Sequence, residues 1–532
     1  MSLSTQPNIS GSYIDRKVAE GMFRELLGER PAYRVLNIYG KSGMGKSHFK
    51  EYLKNRYLYT EKSNIAHVEL NFENRLLHKP QTAIMHIAKE LEAKYSFNFM
   101  SLWKAYAILW HKRYEHSPIM YAADLPYFHE IKKLIKLDKK GHPVIDIAKG
   151  LFGDRVTKEL EELKSLESNE IEARLYKFFA IDLRKLIKSS DYKDCVIIFD
   201  NVDLLKEHTD TTPCAKDAWI REIITQVGKE ALFILFSQNS LNWQGCNGTW
   251  KDMVKSCELG AFAKKDAQRY ISQSGFKDDK LKEAIVIASA SEPFWLSLAK
   301  YSYNEHKTYI LPTNKQDIFK AFESNIDSDI LKLLKVLANG RFFNIDILFV
   351  AAREFNIVIS DSTIDRLQNY DFVKEISPNK YTIDSNLKEL LIESVGDIKI
   401  VEYRAFMFSY WENILQSLDR ELIKNTPELI DEAIEEAWYH LHTINNEPLV
   451  HFEWLDYYVA RFFMYAAWEP FVDRYSKIMP KLESAEDEVS FNRLVSLYNN
   501  LAGLYESLGE SKKSKTFYNK VIKLNRLELL SA

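Results

Sequence analysis

The sequence predicts a multi-domain protein with an α/β amino-terminal part and an all-α remainder. Residues 195–205 begin with a continuous apolar run, and residues 231–240 begin with another, as expected for strands buried on both faces of a parallel sheet. A β-rich run at 33–39 is followed by a glycine-rich segment and a helical pattern. Strands that alternate with helices in this way indicate a doubly wound α/β domain. After about residue 260 the strand patterns largely stop.

Composition excludes several classes of protein. The chain has 532 residues, 46% of them hydrophobic and 28% charged, which is typical of several globular domains. Its net charge is −3 and it lacks a basic block, which argues against a nucleic-acid partner. No apolar stretch is long enough for a membrane span. Four cysteines without a CxxC pair predict free thiols and a cytoplasmic location.

The segment between residues 33–39 and the next helical pattern has the composition of a phosphate-binding loop. It reads Gly40-Lys41-Ser42-Gly43-Met44-Gly45-Lys46-Ser47, which matches G-x-x-x-x-G-K-[ST], and it continues into His48. Glycines let the backbone N–H groups face phosphate oxygens, and the helix that follows adds its N-terminal dipole. We expect Lys46 to reach the β- and γ-phosphates of ATP, so ATP and ADP are the expected ligands.

The strand at 195–200 ends in an acid that predicts a metal site. In P-loop enzymes such an Asp and the Ser or Thr of the loop hold Mg²⁺, so Ser47 and Asp200 are the expected ligands. The next residue, Asn201, can position a water molecule but cannot take its proton, and Asp203 is a second candidate for this role. The sequence therefore predicts slow turnover.

A third set of polar residues follows the strand at 231–237. Gln238 and Asn239 lie at its carboxyl end, where doubly wound folds place their functional groups. Either residue is a candidate sensor of the γ-phosphate, and the alternative is a polar strand end without a function.

Farther along the chain, residues 328–395 predict three helices and a small hairpin with its turn at Ser377–Asn379. This pattern is typical of a winged helix. From about residue 398 to the end only helical patterns follow. Residues 502–521 place small and large side chains at the spacing of tetratricopeptide repeats, and His440 and His442 lie in an earlier helix of this part. Two residues apart on a helix, these histidines face different ways, so a metal site there is not expected.

Together these motifs resemble the STAND class of signal-transduction P-loop NTPases. Residues 13–23 resemble the entry motif of that class, with Asp15 in place of its Gly and Arg16 as expected. Residues 288–299 resemble its G-x-P lid motif, with Ser291 in place of Gly and Pro293 as expected. The resemblance implies that Asp15, Arg16 and Pro293 lie near the adenine and the lid.

Two departures from that class concern its nucleotide sensors. Asn239 stands where relatives often have Arg, and Asp384 and Ser385 stand where their winged helix often has a His-Asp pair. The contact that holds ADP in relatives therefore cannot simply be transferred to this chain.

The resemblance completes the predicted domain order. We expect a flexible tail (1–12), a P-loop core (13–258) with a helical insertion at about 80–190, a helical lid (259–327), a winged helix (328–397) and tetratricopeptide-like repeats (398–532). Relatives are ATP-driven switches and scaffolds, in bacteria often in anti-phage defence or transcription control. The resemblance implies nucleotide-dependent homo-oligomers and protein partners bound by the repeats. The effector is then expected on a separate partner, or assembly itself is the signal.

Two other functions stay open at this point. One is a DNA-handling ATPase of the AAA+ origin-recognition type, which also combines a P-loop core, a lid and a winged helix. Against it, the expected recognition helix carries Asp361, Asp365 and Asp371 with a single Arg366, and phosphates would repel it. The other is a protein-binding module that a nucleotide stabilises without hydrolysis.

Overall fold

The computed structural model describes residues 16–29, 31–59, 64–113, 135–137, 143–145, 154–205, 216–306, 311–419, 421–422, 428–463, 468–485 and 487–531. The chain forms two compact units, each built from two segments. The first unit comprises Met1–Phe97 and Arg184–Ile400, and the second comprises Asn98–Leu183 and Val401–Ala532.

The strands, in chain order, are β1 (Arg34–Tyr39), β2 (Ile65–Asn71), β3 (Ile135–Leu137), β4 (Pro143–Ile145), β5 (Asp194–Asp200), β6 (Ala231–Ser237), β7 (Val254–Glu258), β8 (Val373–Ser377) and β9 (Lys380–Ile383). The helices are α1 (Lys17–Gly28), α2 (Lys46–Leu53), α3 (Pro80–Tyr95), α4 (Met100–Arg113), α5 (Asp154–Leu163), α6 (Ser168–Glu172), α7 (Leu175–Ser189), α8 (Ala218–Val227), α9 (Trp243–Cys246), α10 (Lys264–Gln273), α11 (Asp279–Ala288), α12 (Pro293–His306), α13 (Lys315–Asn325), α14 (Ser328–Leu337), α15 (Ile345–Glu354), α16 (Asp361–Gln368), α17 (Ser385–Glu393), α18 (Asp397–Ser417), α19 (Glu428–Ile444), α20 (Pro448–Phe462), α21 (Glu469–Glu483), α22 (Glu488–Ser507) and α23 (Ser511–Ser531).

A five-stranded parallel sheet forms the centre of the first unit. Its order is β2-β5-β6-β1-β7, so β6 separates the strand before the phosphate loop from the strand that ends in Asp200. Every residue of β5 and β6 is buried, as their continuous apolar runs predict. In register, Asn71 pairs with Asp200 and Tyr39 pairs with Ser237. The carboxyl ends of four strands therefore meet at one edge of the sheet.

The opposite edge of the sheet is fixed by a buried ion pair. The guanidinium of Arg34, at the start of β1, donates to both carboxylate oxygens of Asp194, at the start of β5, over 2.7 and 2.5 Å. The Arg34 side chain has no solvent-accessible surface and that of Asp194 has 5%. A two-pronged contact of this kind fixes orientation as well as neutralising charge.

The lid and the winged helix complete the first unit. Helices α10–α13 follow the sheet, and α14–α16 precede an antiparallel hairpin of β8 and β9, as predicted. Phe343 forms an additional bridge with Tyr381 of β9. The predicted fold class, a P-loop-type parallel sheet with helical and winged-helix domains and all-α repeats, is thereby confirmed.

The second unit joins the carboxyl-terminal helices to the larger part of the predicted insertion. Successive helices from α20 to α23 pack on one another, as in a repeat array. Ser168 of α6 donates to the carbonyl of Leu508 over 2.5 Å. Arg113 of α4 contacts Glu172 at 2.5 Å and Glu469 of α21 at 3.7 Å. The insertion therefore packs against the repeats.

Three expectations need correction. The helical pattern assigned to 80–190 contains the short antiparallel pair β3–β4, and the edge strand β7 follows no clear sequence pattern. Cys195 and Cys257 are free and buried, whereas Cys246 is disulfide-bonded, contrary to the prediction of free thiols. Within the described part of the chain, no helix is long and apolar enough to cross a membrane.

Candidate functional site

The phosphate loop connects β1 to α2 at the carboxyl edge of the sheet. Gly43 has a φ of +80° and Gly45 a φ of +86°, a left-handed backbone that glycine adopts without strain. Gly45 is also the residue that precedes the first turn of α2, which begins at Lys46. The loop thus has the curled backbone and helix N-terminus that phosphate binding requires.

The side chain of Lys46 contacts the backbone of this loop. Its ammonium donates to the carbonyl of Gly40 and, over 3.1 Å, to that of Lys41. Burial lowers the pKa of Lys46, and the carboxylates of Asp203 and Asp200 oppose this shift. Its neighbour His48 is exposed on α2.

The lid contacts the phosphate loop directly. The N–H of Phe294 donates to the carbonyl of Gly43 over 3.0 Å. Pro293 lies against Gly45, since a Cβ built on that glycine would be 3.9 Å from the proline side chain. Ser291 has a φ of +58°, a left-handed backbone that glycine adopts without strain.

Arg16 approaches the same loop from the other end of the chain. Its guanidinium donates to the carbonyl of Met44 over 2.9 Å and lies 4.6 Å from the centre of the Phe262 ring. Arg16 therefore contacts the loop and Pro293 lies near it, and their place beside an adenine stays a prediction. Asp15 lies outside the described residues.

The winged helix also reaches the phosphate loop. The hydroxyls of Ser385 and Ser42 are 2.6 Å apart, and the amide of Asn386 donates to the Ser42 hydroxyl over 3.2 Å. Asp384 accepts from the Asn386 side chain at 3.1 Å and pairs with Lys374 at 3.2 Å. The winged helix therefore places a polar group against Ser42 of the phosphate loop.

Asp200 is occupied by an internal cation. Its Oδ2 accepts from the ammonium of Lys50 over 2.6 Å and its Oδ1 from the N–H of Asn201 over 3.0 Å. Lys50 also contacts Glu69. Burial alone would lower the pKa of Lys50, but the two carboxylates outweigh it and raise that pKa. This arrangement fits an ammonium beside Asp200 and does not fit a divalent cation held directly by it.

Asn201 and Asp203 have structural partners at the ends of neighbouring strands. Asn201 has a φ of +57°, and its amide donates to the side chain of Asn71 over 2.9 Å. Asp203 accepts from the N–H groups of Gln238 at 2.6 Å and Asn239 at 3.4 Å. Gln238 and Asn239 are both exposed.

Two polar residues of this region escape the sequence motifs. Asn37 is fully buried in β1, donates to the hydroxyl of Ser237 over 2.8 Å and accepts from the N–H of Leu241 over 3.2 Å. Burial raises the pKa of Glu73, and its Oε2 has no hydrogen-bond partner among the described residues. A polar residue within an apolar run is the signal that marks Asn37.

The first unit has the P-loop NTPase fold. The evidence is the glycine loop between β1 and α2, the acid at the end of β5, and the strand β6 that lies between β1 and β5. This fold places a nucleotide at the carboxyl edge of the sheet. No protein-family model and no curated protein matches the sequence.

Solved structures give matches to similar folds. One is a Signal Transduction ATPase with Numerous Domains (STAND) protein with a tetratricopeptide repeat sensor from Pyrococcus horikoshii. The match covers 100% of this chain and 67% of that chain, at 13% identity and a TM-score of 0.45.

Two further matches cover less of the chain. The Walker-type ATPase of Pyrococcus abyssi covers 71% of this chain and 96% of its own length, at 12% identity and a TM-score of 0.32. The ORC2 protein of Aeropyrum pernix, in ADPNP-ADP complexes, covers 73% and 95%, at 11% identity and a TM-score of 0.34. At these values activity and partners have to be argued from the site itself.

Proposed function

We propose that this protein is a STAND-type switch that binds ATP, hydrolyses it slowly, and couples its nucleotide state to oligomerisation or to protein partners bound by the helical repeats. One observation carries the proposal. The phosphate loop is held by hydrogen bonds from two other domains, from Phe294 of the lid and from Asn386 of the winged helix. A ligand of this loop is thus placed to influence both domains.

The switch requires that ATP and ADP bind its two states with different affinity, because a ligand with equal affinity shifts no equilibrium. The contacts between the winged helix and Ser42 characterise the closed state. We expect ADP to be compatible with these contacts and the γ-phosphate of ATP to compete with them. ATP then favours the open state, which exposes surfaces for assembly.

Slow hydrolysis follows from the residue beside Asp200. Asn201 is neutral and its amide is bonded to Asn71, so it cannot act as a general base. We expect turnover below about 1 per second, at the lower end of typical enzyme rates. Brisk steady-state hydrolysis by the isolated protein would contradict a switch.

Nucleotide binding is tested first. Lys46→Ala removes the ammonium at the loop, and calorimetry should detect no ATP binding by this variant while its thermal unfolding stays close to that of the wild type. Affinity equal to that of the wild type would refute the assignment of the phosphate loop.

Light scattering then tests the switch. The mass of the full chain should increase with a non-hydrolysable ATP analogue relative to ADP. Asn386→Ala, which removes a closing contact, should lower the analogue concentration that is needed, and Glu389→Ala on the exposed side of the same helix should leave it unchanged. One mass in all nucleotides, with normal ATP binding, would favour a module that a nucleotide merely stabilises.

A setting in bacterial defence or signalling is part of this proposal through the resemblance to the STAND class. Genes adjacent to the one that encodes this chain test it, because defence or signalling partners encoded there would support this setting. The trigger of the switch is to be sought among proteins that bind the repeats.

A further inference from the structure

We propose that the ammonium of Lys50 takes the electrostatic place of Mg²⁺ beside Asp200, so that this protein binds nucleoside triphosphate without a divalent metal. The inference rests on the proposed ATP binding and concerns the cation that accompanies it. P-loop proteins commonly neutralise the strand-end acid and the phosphates with Mg²⁺. In this chain the cation at the strand-end acid is a side chain.

The first step is that both carboxylate oxygens of Asp200 already accept hydrogen bonds. One of its oxygens accepts from Lys50 at 2.6 Å and the other from the backbone N–H of Asn201 at 3.0 Å. The side chains of Asp200 and Lys50 are 6% and 8% exposed. Separating such a buried pair leaves an uncompensated charge, which is strongly unfavourable.

The second step is that Lys50 belongs to a wider network of ion pairs. Glu69, at the end of the neighbouring strand β2, contacts both Lys50 and Lys54, the latter at 2.7 Å. Lys54 also contacts Glu51 at 2.8 Å, so the two ammonium groups face three carboxylates, those of Asp200, Glu69 and Glu51. Burial alone would raise the pKa of Glu69, but both lysines lower it to about 2, so its carboxylate stays ionised.

The third step concerns Mg²⁺ itself. This ion demands near-octahedral oxygen coordination and gives up its water reluctantly. Direct ligation by Asp200 would bring a divalent cation to within a few ångström of a buried ammonium, where like charges repel strongly. Displacing Lys50 would separate its buried charge from Asp200, which is strongly unfavourable even though the contact with Glu69 stays.

Lys50 is also well placed to act together with the phosphate loop. It lies four residues after Lys46 on α2, so both lysines are on the same face of the helix. Lys46 is available for the phosphates, while Lys50 holds the acid that would otherwise repel them. Lys46 can thus neutralise the phosphates while Lys50 neutralises Asp200, and these are the two groups between which a metal ion would otherwise lie.

The test compares the affinity for a non-hydrolysable ATP analogue, measured by calorimetry, in buffer with Mg²⁺ and in buffer with EDTA. For the wild-type chain we expect the two dissociation constants to agree within about threefold, less than 1 kcal/mol. For Lys50→Met, which frees Asp200, we expect EDTA to weaken binding by about tenfold or more. Lys54→Met is the matched control, because it removes an ammonium from Glu69 but leaves the pair of Lys50 with Asp200.

Each outcome decides the question. Wild-type binding that weakens about tenfold or more in EDTA overturns the proposal, and so does insensitivity to EDTA in Lys50→Met. If Lys50→Met fails to fold, Lys50→Arg keeps the cation and should retain the wild-type ratio, and a marked dependence on Mg²⁺ in that variant counts against the proposal. Absence of binding in both buffers refutes the proposed ATP binding instead.

Discussion

At the residue level, Asn201 has an unusual backbone conformation and lies directly after Asp200. Its φ of +57° lies in the left-handed region, where Asn is tolerated far better than most other residues. The choice of Asn after Asp200 therefore has a conformational reason in addition to any effect on hydrolysis. The sequence pattern alone suggests only the effect on hydrolysis.

The backbone of Asn201 makes a testable difference between two small side chains. Asn201→Ala and Asn201→Gly both lose the bond to Asn71, but only alanine keeps a Cβ in the left-handed region. We expect Asn201→Ala to be less stable than Asn201→Gly by about 1 kcal/mol in denaturant unfolding. Equal stability of the two variants would show that the backbone there relaxes freely.

A second residue-level prediction concerns pH. In the second unit His442 stacks on His451 with ring centres 3.9 Å apart, and Trp438 packs against both. Burial, followed by the neighbouring His451 and Lys481, lowers the pKa of His442 from 6.5 to about 4. The unfolded chain therefore takes up protons first as the pH falls, and the stability present above pH 6.5 is lost towards pH 4.

We expect the melting temperature to decrease between pH 7 and pH 4.5, with a contribution from His442 of the order of 2 kcal/mol. In His442→Phe, which keeps an aromatic ring for stacking, the decrease should be smaller. Part of it should remain, because burial lowers the pKa of His451 as well. A variant that loses stability as steeply as the wild type would assign the acid sensitivity to other groups.

At the level of elements, continuous apolar runs predict β5 and β6 close to their observed bounds, because every residue of these strands is buried. The β-rich run at 33–39 likewise predicts β1. Strand β7 is only partly buried and lies at the edge of the sheet. Its side chains therefore show no alternation of apolar and polar residues from which a strand could be predicted. The three-residue strands β3 and β4 are too short for any pattern.

The residues of the candidate site also differ in how far the sequence predicts them. A fixed spacing identifies the phosphate loop, and helical spacing from Lys46 would have pointed to Lys50. The partners Glu69 of β2 and Asn386 of α17 come from other elements, and only the folded chain brings them to the loop. No spacing rule connects them in sequence.

The turn between α22 and α23 offers a matched pair of glycines. Gly509 has a φ of +73°, and a Cβ built on it would lie 2.7 Å from the carbonyl oxygen of Lys112. Gly503, inside α22, has open space around it. We expect Gly509→Ala to destabilise the second unit by about 1–3 kcal/mol, since the backbone is strained and a carbonyl must move.

Gly503→Ala should instead stabilise that unit by up to about 1 kcal/mol, because alanine is the better helix former. Thermal unfolding of both variants measures the difference. A Gly509→Ala variant as stable as Gly503→Ala would mean that the insertion does not pack against this turn.

At the level of the whole molecule, the chain is built as two units that contain different structural parts. The phosphate loop, the lid and the winged helix all lie in the first unit, whereas the insertion and the repeats form the second. The insertion therefore extends the repeat array, although in sequence it interrupts the nucleotide-binding core. Arg113, whose side chain is 9% exposed, holds it there through Glu172 and Glu469.

This division predicts two separable unfolding transitions in scanning calorimetry of the full chain. ATP or ADP should raise only the transition of the first unit, because a ligand stabilises the state that binds it, and Lys46→Ala should abolish that rise. Arg113→Ala removes the contacts of a buried guanidinium with two half-buried carboxylates and should lower the stability of the second unit by about 2 kcal/mol. A single transition that both nucleotide and Arg113→Ala displace would instead show that the chain unfolds as one cooperative body.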